Sequence, residues 1–204
     1  ETALSLSGGQ VIIHLIQEDR ELSFSQNYAC EDCGISLPEL EPRMFSFNNP
    51  YGACPQCSGL GYQLKVDPDL IMPNRSLSIL EGGIIASGWG NAKNDTISRM
   101  YYEALGRKYG FSLDTPLEKL TPQAMDALLY GTKGEKLKLQ YDRGNGRGTL
   151  EQAFEGILNN LSRRYRETQS DSMRRELEEC MSECPCPDCH GDRLSPIVLA
   201  VTVG

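Results

Sequence analysis

The sequence predicts an α+β protein, a small zinc-stapled region of loops and strands into which a mainly helical subdomain is inserted. Three observations lead there. Six of the eight cysteines fall as Cys-x-x-Cys pairs: Cys30/Cys33, Cys54/Cys57 and Cys186/Cys189. The stretch 30–62, which holds the first two pairs, is rich in Gly, Pro, Asn and Cys and reads as irregular chain in need of a staple. Between the second and third pairs, apolar residues recur at helical spacing.

Taken in order, Val11-Ile12-Ile13-His14-Leu15-Ile16 is a β-branched run, followed by Gln17 to Arg20 and the alternating Leu22-Ser23-Phe24-Ser25, which together predict a hairpin. Composition changes near Asp67-Pro68-Asp69, where a domain boundary is expected. Asp95 to Tyr109 predicts an amphipathic helix, with Ile97, Met100, Tyr101, Ala104, Leu105 and Tyr109 on one stripe, Asp95 as N-cap and Gly110 as stop. Thr121-Pro122 opens a second helix that Gly131 ends. Lys136 to Tyr141 alternates as a strand does, Asp142 to Gly148 reads as a tip, Leu150 to Tyr165 as a helix, and Ser172 to Met181 as another.

The chain's 204 residues suffice for one large domain or two small ones. No apolar run approaches the roughly 20 residues of a membrane helix, and Glu1-Thr2-Ala3-Leu4 does not start a signal peptide. With no initiator methionine, and with its end inside the strand-like run 197–203, the chain reads as a piece of a longer protein. A net charge of −8 argues against coating nucleic acid by bulk charge. Yet 131–175 carries ten Lys/Arg against six Asp/Glu, a local +4.

Repeated Cys-x-x-Cys spacing is the zinc pattern of reducing compartments rather than a secreted disulfide framework, so a cytoplasmic location is expected. Cys54-Pro55-Gln56-Cys57-Ser58-Gly59 and Cys186-Pro187-Asp188-Cys189-His190-Gly191 share the form Cys-Pro-x-Cys-x-Gly of a tight zinc knuckle. Two knuckles make one closed four-sulfur site, so the three pairs leave one without a partner. Cys54/Cys57 can join Cys30/Cys33 or Cys186/Cys189, because the longer closure costs only about 1.6 kcal/mol more in loop entropy. A structural zinc contributes roughly 10–16 kcal/mol, so loop length leaves both pairings open. Cys180 and Cys184 are expected to be free thiols, and His190 a polar turn residue. Leu6-Ser7-Gly8-Gly9-Gln10 spells the signature loop of ABC ATPases, but a strand-forming run follows where that loop needs a helix N-terminus. No phosphate-binding G-x-x-x-x-G-K-[ST] occurs in the chain.

The block Glu39-Leu40-Glu41-Pro42-Arg43-Met44-Phe45-Ser46-Phe47-Asn48-Asn49-Pro50-Tyr51-Gly52-Ala53-Cys54 resembles the UvrA family, a component of the bacterial UvrABC excinuclease. The resemblance continues at Phe154-Glu155-Gly156-Ile157, at Arg163-Arg164-Tyr165-Arg166-Glu167-Thr168 and at Pro185-Cys186-Pro187-Asp188-Cys189. It implies a fragment of a dimeric ABC-type ATPase that senses damaged double-stranded DNA and loads UvrB for nucleotide excision repair. ATP would bind only in the full-length parent. Residues 1–28 would be the last strands of the UvrB-binding domain, 29–68 and 183–204 the zinc-bearing part of the first signature domain, and 69–182 the insertion domain. By the same likeness Cys54/Cys57 pairs with Cys186/Cys189, leaving Cys30/Cys33 to find other partners.

The fragment itself is not expected to be an enzyme. It shows no acid–base pair or activated nucleophile, and a catalytic zinc keeps an open ligand position. It is expected to touch DNA phosphates through Arg163, Arg164 and Arg166, helped by Lys136, Lys138, Arg143 and Arg147. The three arginines cannot share one helical face, so some are expected to pair with nearby carboxylates such as Glu167 or Asp171. The competing reading is a DnaJ-like chaperone module. That module repeats Cys-x-x-Cys-x-Gly-x-Gly, of which this chain has one full copy and a second that reads Gly-x-Arg.

Overall fold

A computed structural model describes residues 9–17, 19–25, 40–90, 92, 96–143 and 146–202. These fall into two units: Leu64–Cys184, continuous in sequence, and the flanking stretches Glu1–Gln63 and Pro185–Gly204. No helix among the described residues is long and apolar enough to cross a membrane.

In the flanking unit, Gln10–Leu15 (β1) and Arg20–Ser25 (β2) form an antiparallel hairpin in the register Gln10↔Ser25 to Leu15↔Arg20. Strand β1 follows directly on Gly9, whose φ is 93°, so a strand and not a helix succeeds the Leu6–Gln10 motif. Residues 1–8, with most of that motif, lie outside the described residues. Pro42–Phe45 is a single 3-10 turn that buries Met44. Tyr62–Val66 (β3), most of it already in the continuous unit, pairs with a later strand, Met181–Pro185.

The first helix of the continuous unit is Pro68–Ile71 (α1), whose N-cap Asp67 accepts from the Asp69 N–H at 2.9 Å. Ile97–Tyr109 (α2) turns Tyr101, Tyr102, Ala104 and Leu105 inward and stops at Gly110, which sits in the left-handed region at φ 76°. Its N-cap is Thr96, whose Oγ1 accepts from the Arg99 N–H at 3.3 Å, so the helix starts after the expected Asp95. Pro122–Tyr130 (α3) opens on the expected Thr121 cap and ends at Gly131.

Lys136–Arg143 (β4) and Gly146–Ala153 (β5) form a long antiparallel hairpin, paired from Lys136↔Ala153 to Arg143↔Gly146. The expected helix at Leu150 is therefore wrong in its first turn. Leu150 to Ala153 are strand because they pair with β4, Leu150 facing Leu139. Helix Ile157–Glu167 (α4) can start only after Gly156, whose φ of 92° no helix accommodates. Asp171–Glu178 (α5) follows, capped by Ser170. Met181, expected at its end, instead begins strand Met181–Pro185 (β6). Pro196–Leu199 (α6) lies in the flanking unit.

Helix α2 packs on β4 and α3, α3 on α4, and α4 on α5. Their shared core includes Ile71, Tyr102, Leu105, Leu128, Leu161 and Leu177, all fully buried. Trp89 anchors its aromatic part, with ring centroids 5.4 Å from Phe154 and 6.0 Å from Tyr102, and the Tyr102 hydroxyl donates to the Trp89 carbonyl at 2.9 Å. Gly131 and Gly156 let two turns cross in contact. A Cβ on Gly156 would lie 2.4 Å from the Gly131 nitrogen, at a φ that side chains rarely adopt. Gly156→Ala is expected to lower the stability of this unit by about 2–3 kcal/mol. Urea unfolding followed through Trp89, the only tryptophan and 8% exposed, measures it, and an unchanged midpoint would refute the crossing as a constraint.

Candidate metal centre

Each knuckle is shaped by its own short sequence. Ser58 and His190, the residues after the second cysteines, take left-handed φ values of 51° and 52°, and Gly59 and Gly191 follow at 80° and 105°. The reversals are closed alike, the Leu60 N–H donating to the Cys57 carbonyl at 3.0 Å and Asp192 to Cys189 at 2.8 Å. Turns of this kind aim backbone N–H groups at sulfur, and the Gly61 N–H donates to Cys57 Sγ at 3.2 Å.

Backbone contacts hold the two knuckles together. Ala53 and Leu194 form an antiparallel bridge, flanked by Cys54 N–H to the Arg193 carbonyl and Ser195 N–H to the Gly52 carbonyl, both 2.9 Å. The Cys186 N–H donates to the Gly61 carbonyl, also at 2.9 Å. Gly52 is tightly enclosed, since a Cβ there would lie 2.1 Å from the Met44 carbonyl oxygen. The Phe45–Cys54 block thus seats the first knuckle.

Cys54, Cys57, Cys186 and Cys189 converge with all four sulfurs within 4.8 Å of one another, and none is more than 5% exposed. Cys54 Sγ lies 3.8 Å from Cys186 Sγ, and Cys57 Sγ 3.7 Å from Cys189 Sγ. A disulfide needs about 2.05 Å, and all four are free thiols. A tetrahedral ion with metal–sulfur bonds near 2.3 Å requires sulfur–sulfur edges of about 3.8 Å. The donor set, its burial and its spacing therefore fit a closed four-sulfur metal site. Such a site, once filled, leaves no open ligand position for a substrate.

The four sulfurs are not equivalent. Burial pushes the Cys54 thiol up to about 11, against N–H donors from Cys57 and Gln56. Burial also pushes Cys57 up, but N–H groups of Gly61 and Gly59 and the Cys189 and Cys54 thiols outweigh it, lowering its value to about 7. Of these two sulfurs, Cys57 is therefore the one that ionises more readily. Cys180 is buried outside the cluster, its thiol pushed up by burial. Cys184 is half-buried, also outside it, and His190 is exposed. Cys30 and Cys33 lie outside the described residues.

Of the expected DNA-contacting residues, Lys136, Lys138 and Arg166 are exposed. Lys136 and Lys138 alternate on β4 with the buried Leu137 and Leu139. Arg163 is occupied: it grips Glu155 through Nε at 2.9 Å and Nη2 at 3.1 Å, and Glu167 through Nη1 at 2.8 Å. Arg163 in turn holds the Glu155 carboxyl below its usual range. Arg164 points inward, donating to the Ser87 carbonyl at 2.8 Å and to Ser87 Oγ at 3.3 Å. Arg143 and Arg147 are in the strands, with their side chains outside the description. Sequence reasoning missed Arg193 and Phe47 beside the cluster, and the one local signal was Arg193 in the second knuckle where the first has Gly61.

The family model for the UvrA DNA-binding domain matches residues 67–179. The UvrABC system protein A of Clostridium perfringens is 47% identical over 204 residues, covering 100% of this chain and 22% of the relative. That of Bacillus subtilis is 43% identical over 210 residues, covering 100% of this chain and 21% of the relative. The chain therefore spans about a fifth of the length of the curated relatives it matches. The crystal structure of UvrA2 from Deinococcus radiodurans matches with a TM-score of 0.57 at 25% identity, covering 83% of this chain and 22% of that one. None of these relatives supports the chaperone-module alternative.

A bound metal needs thiolates, so protons compete with it and its affinity falls as pH falls. Titrating the metal-free chain with Cd²⁺ between pH 8 and pH 6 is expected to show weaker binding at the lower pH, with more than one proton released per metal. Binding independent of pH would rule out thiolate ligation.

Proposed function

The chain belongs to the UvrA family, and from that premise we propose that it is the DNA-facing, zinc-clasped part of a damage-recognition ATPase of nucleotide excision repair. The observation that carries the proposal is one coincidence. The stretch matched by the UvrA DNA-binding domain, 67–179, lies within the continuous unit Leu64–Cys184. The converging cysteines flank that unit in sequence, 132 positions separating each sulfur from its nearest partner.

In this reading Cys54, Cys57, Cys186 and Cys189 bind one structural Zn²⁺. When bound, the ion supplies a cross-link and charge neutralisation, not chemistry. Cys30 and Cys33 either take part in a second site with partners elsewhere in the parent protein or capture zinc opportunistically. Residues 1–28 belong to the UvrB-binding domain, 29–68 and 183–204 to the first signature domain, and 69–182 to the insertion domain. UvrB, a second copy of the parent and ATP are partners of the whole protein, which works in the cytoplasm.

Residues 69–182 contact duplex DNA through phosphates, without reading bases. Exposure favours Arg166, Lys136 and Lys138 as contacts, with Arg143 and Arg147 on the same hairpin as the lysines. Arg163 already carries two carboxylate partners, Glu155 and Glu167, which makes it a weaker candidate for a phosphate contact. Arg164 serves the fold, tying Ser87 to α4.

Elemental analysis is expected to find tightly bound zinc, with one ion lost in Cys186→Ser; an unchanged zinc content refutes the long-range pairing. Affinity for undamaged duplex is expected to fall steeply with salt, and Arg166→Ala to reduce the slope of log affinity against log salt by about 0.9, the share of one phosphate contact. Arg164→Ala should instead lower thermal stability and leave that slope alone. Affinity unchanged between low and moderate salt would sink the phosphate-binding reading.

A further inference from the structure

Arg193 and Gly61 hold equivalent places, each four residues after the second cysteine of its knuckle. Both have left-handed backbone, at φ 69° and 86°. Glycine adopts that conformation without strain and arginine does not, so the arginine is kept there by what its side chain does. Its guanidinium carbon lies 3.6 Å from the centroid of the Phe47 ring. Its Nε donates to the Gly59 carbonyl at 2.7 Å. Its stem lies against Gly61, where a Cβ would come within 2.9 Å of Arg193 Cγ. Its own carbonyl accepts from the Cys54 N–H at 2.9 Å. One residue of the second knuckle thus grips the first at three points, and Phe47 in the block before it at a fourth.

The Gly59 carbonyl belongs to the peptide just before the Leu60–Gly61 peptide, whose N–H donates to Cys57 Sγ. We infer that Arg193 is the positioning residue of the metal centre: braced on Phe47, it holds the Gly59 carbonyl so that the Gly61 N–H stays aimed at the Cys57 sulfur. The inference rests on the reading of the four cysteines as zinc ligands. Arg193 acts through the peptide, and Phe47, from the Phe-Ser-Phe-Asn-Asn-Pro block, is its support. Groups that orient ligands from outside the coordination sphere change metal affinity by roughly 10–100-fold when removed.

Co²⁺ titrated into the 204-residue chain tests this, because its sulfur-to-metal charge-transfer band and its d–d bands report sulfur donation and tetrahedral geometry separately. Arg193→Ala is expected to weaken Co²⁺ binding by roughly 10-fold or more and to move the charge-transfer band to lower energy. A sulfur deprived of an N–H donor gives up charge more readily. The tetrahedral d–d bands should persist, and Phe47→Leu should shift both readouts the same way by less. A charge-transfer band that stays in place in Arg193→Ala overturns the inference, whether or not affinity falls, since the residue then only packs. If Arg193→Ala fails to fold or to bind, Arg193→Lys decides. Lysine cannot hold Gly59 and cover Phe47 at once, so its band moves if the inference holds and stays if it does not. A parent chain that takes up no Co²⁺ would sink the zinc reading itself, a result distinct from either.

Discussion

Four sulfurs brought within 4.8 Å of one another from chain segments 132 positions apart are the constraint on which the flanking unit depends. Among the described residues, few large apolar side chains are buried in that unit. Its buried cluster consists of the cysteines themselves, and Met44 and Val198 are its other buried apolar residues among those described. Four thiolates buried side by side are unfavourable unless a cation neutralises them. A dication on four thiolates still leaves negative charge, which the inward-facing N–H groups of the knuckles partly offset. Backbone bridging at Ala53↔Leu194 and the Gly61–Cys186 bond set the register, so a metal finds its ligands gathered.

The inserted unit is built on the opposite principle. It has an extended apolar core, capped helices and a two-stranded sheet, all within Leu64–Cys184. Its core residues come from nearly every element, which is how a continuous stretch of this length folds on its own contacts. The charged residues are then free to serve the surface, but only some do. Arg163 is matched by two carboxylates and Arg164 by a serine, and both are neighbours of Arg166, which is exposed. Neighbouring arginines on one helix therefore have three different surroundings.

Elements whose signals are local were legible in the sequence. The β1–β2 hairpin, the Thr121 cap with Pro122, and the Gly110 and Gly131 stops all follow from a few neighbouring side chains or from one backbone conformation. Errors arose where a distant partner overrode the local pattern. Leu150 to Ala153 fit a helical stripe, yet β4 claims them as strand, and Gly156 bars the helix from starting earlier. Met181 likewise continues a helical spacing but belongs to β6. The N-cap passed from Asp95 to Thr96, a one-residue choice between two good caps.

At the site, the same division holds. The sequence by itself determined the knuckles, because Cys-Pro-x-Cys-x-Gly fixes its own turn and the direction of its sulfurs and N–H groups. It could not determine which knuckles meet, since loop entropy grows only logarithmically with length and separates the alternatives by little. Nor could it show that Arg193 would reach across to Phe47 and Gly59, or that Arg164 would turn inward. Those outcomes belong to the tertiary structure, because they depend on what lies across from a side chain in space, and a neighbour in space leaves no mark on the residues beside it in sequence.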